Sequence, residues 1–569
     1  MATMLETAFK KAKVFPSVKD ACKGLDTPWE TSDFEAMKGV IERMSRKYTL
    51  TDPDQVLDKR LYNLTCAMLR DSAATKPDNV EILGLLEKAV ESKRLTKRFQ
   101  DPSVTMASFQ DFLSPSKASA LWKREVKGAM ATVESSLNIV TLEPIRVTED
   151  TEFNELFSND KASAGFFSPG SKKSSKSREI LYQVRQFQFD IENDIKPREP
   201  YPCIAFKRCQ ISKMANGKTL TLHTIKYKQR FVWGYSSDMT GIEATVARPI
   251  INHFVKNVPW YAGGQSLEQI RAMIKSNRKT YDYWYSIDYS KYDSTVPNWL
   301  ISAAFSIIKK FYVGNRLALE TLDYVEDFFI NTTVVLPDGG VYKKSKGIPS
   351  GSYFTQIIGS LCNAIMVNAY FQRCERVEKD FLLGNSAVVR RGLVQQHSQT
   401  SCSIMGDDNL FFTHKPVDMV EFADYLKRTF GVVIHPDKCA KGVSQKDDPE
   451  YLKRHWALEG AYRDALETLI NMLYPEQWRK YDTYDPIMII WSYWLGYPLT
   501  FDGLFEIEKT LEYSEDALKA LEKSDSWVPS AALPSGMVVG QASTLVMKGS
   551  PMVKHWNEGY KRRLAVKPA

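Results

Sequence analysis

The sequence predicts an α+β protein in which a small antiparallel sheet lies among many helices. Apolar runs flank the tripeptide Gly406–Asp408 on both sides, as expected of two buried strands joined by a tight turn. A further strand candidate runs from Trp284 to Ile287, where aromatic and aliphatic residues give high strand propensity. Elsewhere apolar residues recur at helical spacing, for example from Val80 to Leu95.

Aspartate residues follow the ends of these strand candidates. Asp407 and Asp408 lie in the turn, and Asp288 follows the aromatic run. Like charges held together repel unless a cation lies between them, and carboxylate oxygens suit hard divalent ions. The pattern therefore predicts a divalent metal site of the kind that assists phosphoryl chemistry. Asp293 follows just ahead of Pro297, where a helix N-cap is the alternative role.

A loop and a helix are predicted between the two acidic stretches. The segment ahead of Thr355 is rich in Gly, Pro and Ser, which gives a loop with accessible amide groups. In the helical pattern that follows, Thr355, Gly359 and Asn363 share one face. A small polar stripe of this kind suits contact with a sugar or a phosphate. A structural role, with Ser350 as N-cap and Gly351 in a turn, is compatible with that contact.

Basic residues cluster in two places. Lys226, Lys228 and Arg230 alternate with apolar or aromatic residues, which places the cations on one side of a strand. A solvated edge strand is the alternative. The stretch Gly170–Arg178 holds several cations among serines, and a flexible solvated loop is the alternative there.

A helix and a strand are also predicted after the acidic hairpin. Residues 417–430 have helical spacing, Gly431 closes that helix, and 432–434 form a strand candidate. Lys438 follows this strand. Lys441 is a rival for any role given to Lys438, and a plain surface lysine is the alternative for both.

Taken in order, these segments resemble the palm motifs of viral RNA-dependent RNA polymerases. Motif A is matched by Asp288 and Asp293, motif B by Ser350, Gly351, Thr355 and Asn363, and motif C by Gly406, Asp407 and Asp408. The wording from Gly347 to Gln356 is most similar to polymerases of bisegmented double-stranded RNA viruses, the partitiviruses and picobirnaviruses. One departure is Gly359, which stands where many plus-strand viral polymerases carry the motif B asparagine.

Other segments resemble further motifs of these enzymes. The strand with Arg230 resembles motif F, the segment ending at Lys438 resembles motif D, the stretch 451–454 resembles motif E, and the stretch from Gly170 to Arg178 resembles motif G. The resemblance implies RNA-directed RNA synthesis with two Mg²⁺ ions, for which Mn²⁺ can substitute. It gives metal binding and catalysis to Asp288, Asp407 and Asp408, and proton donation to Lys438. Nucleotide binding falls to Lys226, Lys228, Arg230, Asp293, Ser350, Gly351, Thr355 and Asn363, and primer or RNA contact to Lys453, Arg454, Lys172 and Lys173.

The resemblance also implies a right-hand fold with an antiparallel-sheet palm and helix-rich fingers, thumb and N-terminal extension. The expected boundaries are 1–225 for the N-terminal extension and fingers, 226–280 for the junction with the basic finger motif, 281–460 for the palm with a finger insertion, 461–527 for the thumb, and 528–569 for a C-terminal tail. The tail is expected to be irregular because it is rich in Gly and Pro.

Two other functions share this resemblance. A reverse transcriptase has a similar palm but places a bulky aromatic side chain at the position of Asp293, where it excludes a ribose 2′-hydroxyl. Asp293 instead offers a hydrogen-bond acceptor to that hydroxyl, which favours ribonucleotides over DNA precursors. A catalytically inactive RNA-binding, capsid-associated protein is the second alternative, and its mark would be the loss of a catalytic carboxylate.

Composition agrees with a globular protein and excludes several classes. The chain has 569 residues, 43% hydrophobic and 25% charged, with a formal charge of +8, so it is expected to fold as several subdomains without a polybasic tail. Its eight cysteines form no C-x-x-C pair, which disfavours a zinc ribbon and suits reduced thiols. No signal peptide or membrane span is expected. The resemblance implies template and nascent RNA, ribonucleoside triphosphates and a viral capsid protein as partners, in the virion interior or the host cytoplasm.

Overall fold

The structure is a computed structural model. It describes residues 2–23, 29–48, 57–93, 95, 100–157, 162–213, 225–383, 400–475, 489–490, 493–494 and 496–505. Side chains are described in these ranges except at 2–6, 212–213, 225–228 and 376–383. The predicted tail 528–569 and much of the predicted thumb, 461–527, lie outside the described residues.

Helices make up most of the described chain. In chain order they are α1 Ala2–Ala12, α2 Val18–Cys22, α3 Thr31–Ser45, α4 Lys59–Ser72, α5 Asp78–Glu91, α6 Pro102–Gln110, α7 Arg124–Ser135, α8 Phe153–Leu156, α9 Ser177–Glu192, α10 Ser237–Asn257, α11 Leu267–Thr280, α12 Tyr292–Thr295, α13 Asn298–Lys309, α14 Arg316–Asn331, α15 Thr355–Leu383, α16 Met419–Phe430, α17 Ala465–Leu473 and α18 Pro498–Leu504. None of the described helices combines the length and the apolar character that crossing a bilayer requires.

The strands form small sheets. In chain order they are β1 Lys13–Phe15, β2 Cys203–Lys213, β3 Ile225–Gly234, β4 Tyr283–Ile287, β5 Tyr289–Ser290, β6 Thr333–Val335, β7 Val341–Lys343, β8 Ser401–Met405, β9 Asp408–Thr413, β10 Val433–Ile434, β11 Ala440–Val443, β12 Glu450–Tyr451, β13 Arg454–Trp456 and β14 Ala461–Tyr462. The strand orders are β1-β7-β6-β2-β3, β11-β4-β9-β8, β12-β13-β14 and the pair β10-β5. The sequence therefore predicted the mixed helix and sheet content correctly.

The four-stranded sheet is antiparallel and buried on both faces. Tyr285 and Phe411 point to one face, where they join the main core with α15 and α16. Trp284 and Phe412 point to the other face and pack against α11 and the β12–β13 hairpin. Neighbouring residues of each strand thus enter different cores, as the two-residue period of a strand requires. This double cover holds the sheet as a rigid platform.

The N-terminal helices α4 and α5 pack on α17 and α18, which are distant in sequence. Their apolar faces share one core, with Leu61, Leu69 and Leu86 fully buried against Leu469 and Phe501. This contact joins residues of the predicted N-terminal extension to residues of the predicted thumb, and the domain boundaries stay predictions.

Hydrogen bonds also stabilise the packing of α4 and α5 against α17 and α18. Asn79 Nδ2 donates to the Ser72 hydroxyl at 2.7 Å and to the backbone oxygen of Leu504 at 2.8 Å. The backbone nitrogen of Asp58 donates to the oxygen of Leu473 at 2.9 Å.

Two helices meet at Pro297. Helix α12 ends at Thr295, and α13 begins at Asn298 with Pro297 as its N-cap, whereas Lys291, not Asp293, is the N-cap of α12. Because proline clashes with helical backbone in the residue before it, Val296 is extended and breaks the helix.

We predict that Asn79→Ala weakens the junction between the N-terminal helices and α18. The change removes two donated hydrogen bonds from a buried site, a cost of about 1–3 kcal/mol. The midpoint of urea-induced unfolding should fall relative to the matched change Asn63→Ala, because Asn63 is an exposed residue of α4. Equal midpoints for the two variants would contradict the role given to Asn79.

Candidate functional site

The Gly406–Asp407 turn connects β8, at one edge of the four-stranded sheet, to the central strand β9. Strands β8 and β9 pair from Ser401 with Phe412 to Met405 with Asp408, which leaves a two-residue turn. Gly406 has a φ of +65°, which a type II′ hairpin requires at its first turn position and which glycine adopts without steric cost. The predicted acidic hairpin is confirmed.

Asp288 lies beside this turn. Strand β4 pairs with β9 up to Ile287 and Asn409, and the same register extended by one residue sets Asp288 opposite Asp408. Asp288 and Asp407 are exposed, and Asp408 is half-buried. Two separate strands therefore deliver three carboxylates to one end of a rigid sheet, as the sequence pattern indicated.

The electrostatics confirm that charged groups converge here. The surrounding protein raises the pKa of Asp408, the Asp407 and Asp288 carboxylates raise it further, and the Lys453 and Arg230 cations oppose the rise. The pKa of Asp293 is raised by the same causes, protein surroundings first and the Asp407 carboxylate second, while Arg230 opposes the rise. The side chain of Asp293 is exposed to solvent.

The donor set fits a hard divalent cation. Asp288, Asp407 and Asp408 offer carboxylate oxygens, and their mutual repulsion would be relieved by positive charge between them. As they stand, no three His, Cys, Asp or Glu side chains within the described ranges are grouped closely enough to hold a metal ion. Binding would therefore need the side chains to turn toward a shared ion.

Side chains of helix α15 form hydrogen bonds with the backbone of the Gly406–Asp407 turn. Asn363 is fully buried, and its Nδ2 donates to the Gly406 oxygen at 2.9 Å. Its Oδ1 accepts from the Tyr289 hydroxyl and from Asn409 Nδ2, both at 2.8 Å. One turn earlier, the Ser360 hydroxyl accepts from the Gly406 nitrogen at 2.8 Å. The sequence interpretation assigned Asn363 to the nucleotide, whereas the structure gives its amide to the hairpin.

Gly359 completes this contact. A Cβ at Gly359 would lie 3.4 Å from Gly406 Cα, and the Tyr292 hydroxyl donates to the Gly359 oxygen at 2.6 Å. The small residue lets the helix approach the turn closely. An asparagine at this position, as in many related sequences, would need the helix and the hairpin to move apart.

The loop ahead of α15 packs against the basic strand β3. A Cβ at Gly351 would lie 1.9 Å from the Trp233 oxygen, so only glycine fits. The Ser350 hydroxyl accepts from the Trp233 nitrogen at 3.3 Å, and Thr355 Oγ1 donates to the Pro349 oxygen at 2.6 Å. Ser350 is therefore not an N-cap here; it joins the loop to β3.

Comparison with known proteins agrees with this geometry. The family model described as viral RNA-dependent RNA polymerase matches residues 220–480, which include the acidic hairpin, α15 and β3. The matched residues are similar in sequence to the viral RNA-dependent RNA polymerase family.

Two curated relatives and two solved structures resemble this chain. It is 26% identical over 283 residues to the RNA-directed RNA polymerase of Cryptosporidium parvum virus 1 (strain KSU-1), covering 49% of this chain and 48% of that protein. It is 25% identical over 249 residues to the RNA1 polyprotein of Raspberry ringspot virus (strain cherry), covering 40% of this chain and 9% of that protein. The chain thus spans about half or less of the length of these relatives.

The solved structures show the fold. The crystal structure of a human picobirnavirus RNA-dependent RNA polymerase has a TM-score of 0.54 with this chain at 15% identity, covering 95% of this chain and 98% of that one. Its insertion-loop deletion mutant gives a TM-score of 0.53 at 14% identity, covering 93% and 99%. The predicted right-hand polymerase fold is confirmed.

The basic side of the candidate site comes from two hairpins. Arg230 projects from β3, a strand as predicted, which lies at the edge of its sheet and pairs with β2. Lys453 occupies the turn between β12 and β13, where it and Leu452 have φ values of 59° and 51°. Left-handed backbone at two non-glycine residues is strained, and such strain is commonest at functional sites. The side chains of Lys226 and Lys228 lie outside the described residues.

Arg454, the neighbour of Lys453, was predicted to contact primer or RNA, but its side chain is buried in the protein. Its side chain is 1% exposed, and the guanidinium donates to the Gly496 oxygen at 2.9 Å and to the Leu452 oxygen at 3.1 Å. It also lies over the Tyr497 ring. Because protein groups surround it, Arg454 fixes the strained turn and presents no surface to RNA.

The other lysines with a predicted role differ in solvent exposure. Lys172 and Lys438 are exposed, and Lys438 ends a short 3₁₀ turn next to Cys439, whose thiol accepts from the Asp288 backbone. Lys173 turns inward, and its Nζ donates to Thr240 Oγ1 at 3.1 Å. The RNA role of Lys172 and the proton-donor role of Lys438 stay predictions, whereas Lys173 faces the protein.

Sequence reasoning missed the groups that hold the turn. Ser360, Tyr289 and Asn409 had no predicted role, although each bonds directly to the turn or to Asn363. One signal was present in the sequence, because Ser360 and Asn363 are polar residues one helical turn apart in an otherwise apolar helix.

We predict that Asn363→Ala destabilises the protein more than Asn368→Ala. The first change leaves the Gly406 oxygen, the Tyr289 hydroxyl and the Asn409 amide with fewer buried partners, at a cost of about 2–3 kcal/mol. Asn368 lies on the same helix and donates only to its own helical turn, at the Ala364 oxygen. Urea-induced unfolding followed by tryptophan fluorescence measures the difference. Identical midpoints would show that the network under the turn contributes nothing.

Proposed function

We propose that the protein synthesises RNA on an RNA template by nucleotidyl transfer. The observation that carries the proposal is the convergence of Asp288, from β4, with the Asp407–Asp408 turn of β8 and β9. In the proposed reaction, the 3′-hydroxyl oxygen of the growing strand attacks the α-phosphorus of a ribonucleoside triphosphate. A new phosphorus–oxygen bond forms, the bond to the β-phosphate breaks, and pyrophosphate leaves.

Asp288, Asp407 and Asp408 would hold two Mg²⁺ ions, with Mn²⁺ as a substitute. When bound, such ions lower the pKa of the attacking hydroxyl and stabilise charge on the attacking and leaving oxygens. We assign shared ligation to Asp288 and Asp407, the two exposed carboxylates, and a supporting role to the half-buried Asp408. The rigid sheet fixes the separation of these side chains before any ligand arrives.

Cations of this chain complete the proposed site. Arg230 is half-buried beside Asp293 and Asp408, where its guanidinium suits the triphosphate oxygens. Burial lowers the pKa of Lys453 to about 8, and the nearby Arg230 lowers it as well. Lys453 would meet the primer strand next to Asp408. Lys438 would donate a proton to the leaving pyrophosphate.

Asp293 would select the sugar. Its carboxylate lies at the same site as Asp407 and Arg230 and can accept a hydrogen bond from a ribose 2′-hydroxyl. The neighbouring aromatic Tyr292 cannot block that hydroxyl, because its side chain is buried and donates to the Gly359 oxygen. This arrangement favours ribonucleotides over the reverse-transcriptase alternative. The presence of all three metal-binding carboxylates favours catalysis over an inactive RNA-binding protein.

The biological setting is proposed from family likeness. The motif B wording and the likeness to a picobirnavirus polymerase structure support replication and transcription of a double-stranded RNA genome. The proposal includes a capsid protein as partner and action in the virion interior or the host cytoplasm. Primer extension on a template RNA, with ribonucleotides or deoxyribonucleotides and with Mg²⁺ or EDTA, separates the candidate functions. RNA synthesis that EDTA abolishes is the expected result.

We predict that Asp407→Asn lowers the rate of nucleotide incorporation by at least about 10³-fold while template RNA still binds. The change removes a metal-binding charge without altering side-chain size. Single-turnover incorporation and RNA binding by filter retention measure the two effects. The control is Asp150→Asn, the same change at an exposed turn residue. Near-normal incorporation by Asp407→Asn would refute the assignment.

We predict that Asp293→Ala reduces the preference for ribonucleotides over deoxyribonucleotides by about 10- to 100-fold, because a hydrogen bond to a charged acceptor is lost. Asp293→Asn keeps an acceptor oxygen and should keep part of the preference. The ratio of kcat/KM for the two sugars measures the effect. A ratio unchanged in Asp293→Ala would remove this residue from sugar selection.

A further inference from the structure

Glu243 is a carboxylate buried far from any metal-binding group. It lies on α10 and is fully inaccessible to solvent. Its Oε1 accepts from the Ser352 hydroxyl at 2.7 Å, and its Oε2 accepts from the backbone nitrogen of Tyr353 at 2.8 Å. Both oxygens of one side chain thus hold the same two-residue stretch of the loop ahead of α15.

Burying this carboxylate is costly. Burial raises the pKa of Glu243 to about 8, and the donors from Ser352 and Tyr353 act against that rise. Its neighbours on α10 include the buried apolar residues Ile242, Ala244 and Val246, so an apolar side chain would suit packing at this place. The Glu243 carboxylate instead accepts two charge-assisted hydrogen bonds from the loop ahead of α15.

The far end of that loop reaches the sugar-selecting residue. The backbone nitrogen of Ile348 donates to the backbone oxygen of Asp293 at 2.6 Å. A Cβ at Gly347 would lie 2.4 Å from the same oxygen. A shift at Ser352 or Tyr353 therefore changes the support of Asp293 through five residues of continuous backbone, Ile348 to Ser352.

A second segment is tied to the same helix. Lys173 Nζ donates to Thr240 Oγ1 one turn before Glu243, lies 4.7 Å from the Phe157 ring centroid, and is attracted by the Glu243 charge. Burial lowers the pKa of Lys173 to about 8. The backbone of Ala164 accepts from Ser237, so residues 162–176 dock on the start of α10 at more than one point.

We infer that Glu243 is a positioning residue for nucleotide selection and that Lys173 couples the segment 162–176 to the same loop. The inference rests on the proposed polymerase function. Glu243 touches no substrate. It acts through Ser352 and Tyr353 on the loop, and the loop acts on Asp293. The expected signature is altered sugar choice and nucleotide KM with a smaller effect on kcat.

The first test is Glu243→Gln in the full chain. Its amide nitrogen cannot accept a hydrogen bond, so one of the two loop donors loses its partner while side-chain size is kept. We expect KM for ribonucleotides to rise and the ribo-to-deoxyribonucleotide preference to fall by about tenfold, with kcat changed less. The control is Asp58→Asn, which neutralises another buried carboxylate that accepts from a backbone nitrogen, at the N-cap of the remote helix α4.

Hydrogen exchange gives a readout that does not depend on activity. The Tyr353 amide should exchange faster in Glu243→Gln than in the wild-type protein, and the Asp58→Asn variant should leave it unchanged. Ser352→Ala supplies a second variant if Glu243→Gln does not fold, since it removes one loop donor and keeps the carboxylate. It should shift KM and sugar preference in the same direction.

Lys173→Met tests the coupling. If Lys173 acts through Glu243, the double variant should lose no more sugar preference than Glu243→Gln alone, so the two effects are not additive. Additive losses would overturn the coupling.

The possible failures can be told apart. Wild-type protein that incorporates no nucleotide would overturn the proposed function and this inference with it. An active wild type, with Glu243→Gln matching Asp58→Asn in KM, sugar preference and Tyr353 exchange, would overturn the inference alone.

Discussion

Repulsion among carboxylates held at one point is the constraint on which this structure depends. Charge on Asp288, Asp407 and Asp408 is mutually unfavourable when no cation is present. The pKa of Asp408 is raised first by burial and then by the Asp407 carboxylate, with a smaller contribution from Asp288. An isolated hairpin would relieve the repulsion by moving. Here the hairpin cannot move freely, because both faces of its sheet are buried and its turn is bonded to α15 at the Gly406 nitrogen and oxygen.

The same logic explains the polar groups around the site. Burying a polar side chain such as Asn363 or Glu243 costs free energy unless the side chain is hydrogen-bonded. Both residues make hydrogen bonds to a loop or turn of the candidate site. Asn363 fixes the turn that carries two carboxylates, and Glu243 fixes the loop that supports Asp293. Arg454 does the same for the strained turn of Lys453. Each group to which we assign substrate contact is thus held by a neighbour to which we assign none.

Sequence reasoning found the strands, the turn and the carboxylates because local patterns determine them. Alternating or continuous apolar runs mark buried strands, and a glycine between them marks the turn. It misplaced Asn363 and Arg454 because a side chain's partner depends on tertiary packing. Residue type alone does not tell whether an amide faces a nucleotide or a hairpin backbone 43 residues away. Glu243 was invisible for the same reason, since its partners lie 109 and 110 residues further along the chain.

The most direct measurement is anomalous diffraction from crystals soaked in Mn²⁺. The account predicts anomalous density between the carboxylates of Asp288 and Asp407 in the wild-type protein, and none there in the Asp288→Ala variant. Manganese bound only elsewhere, or the same density in both proteins, would contradict the claim that carboxylates from separate strands converge to hold the catalytic metal.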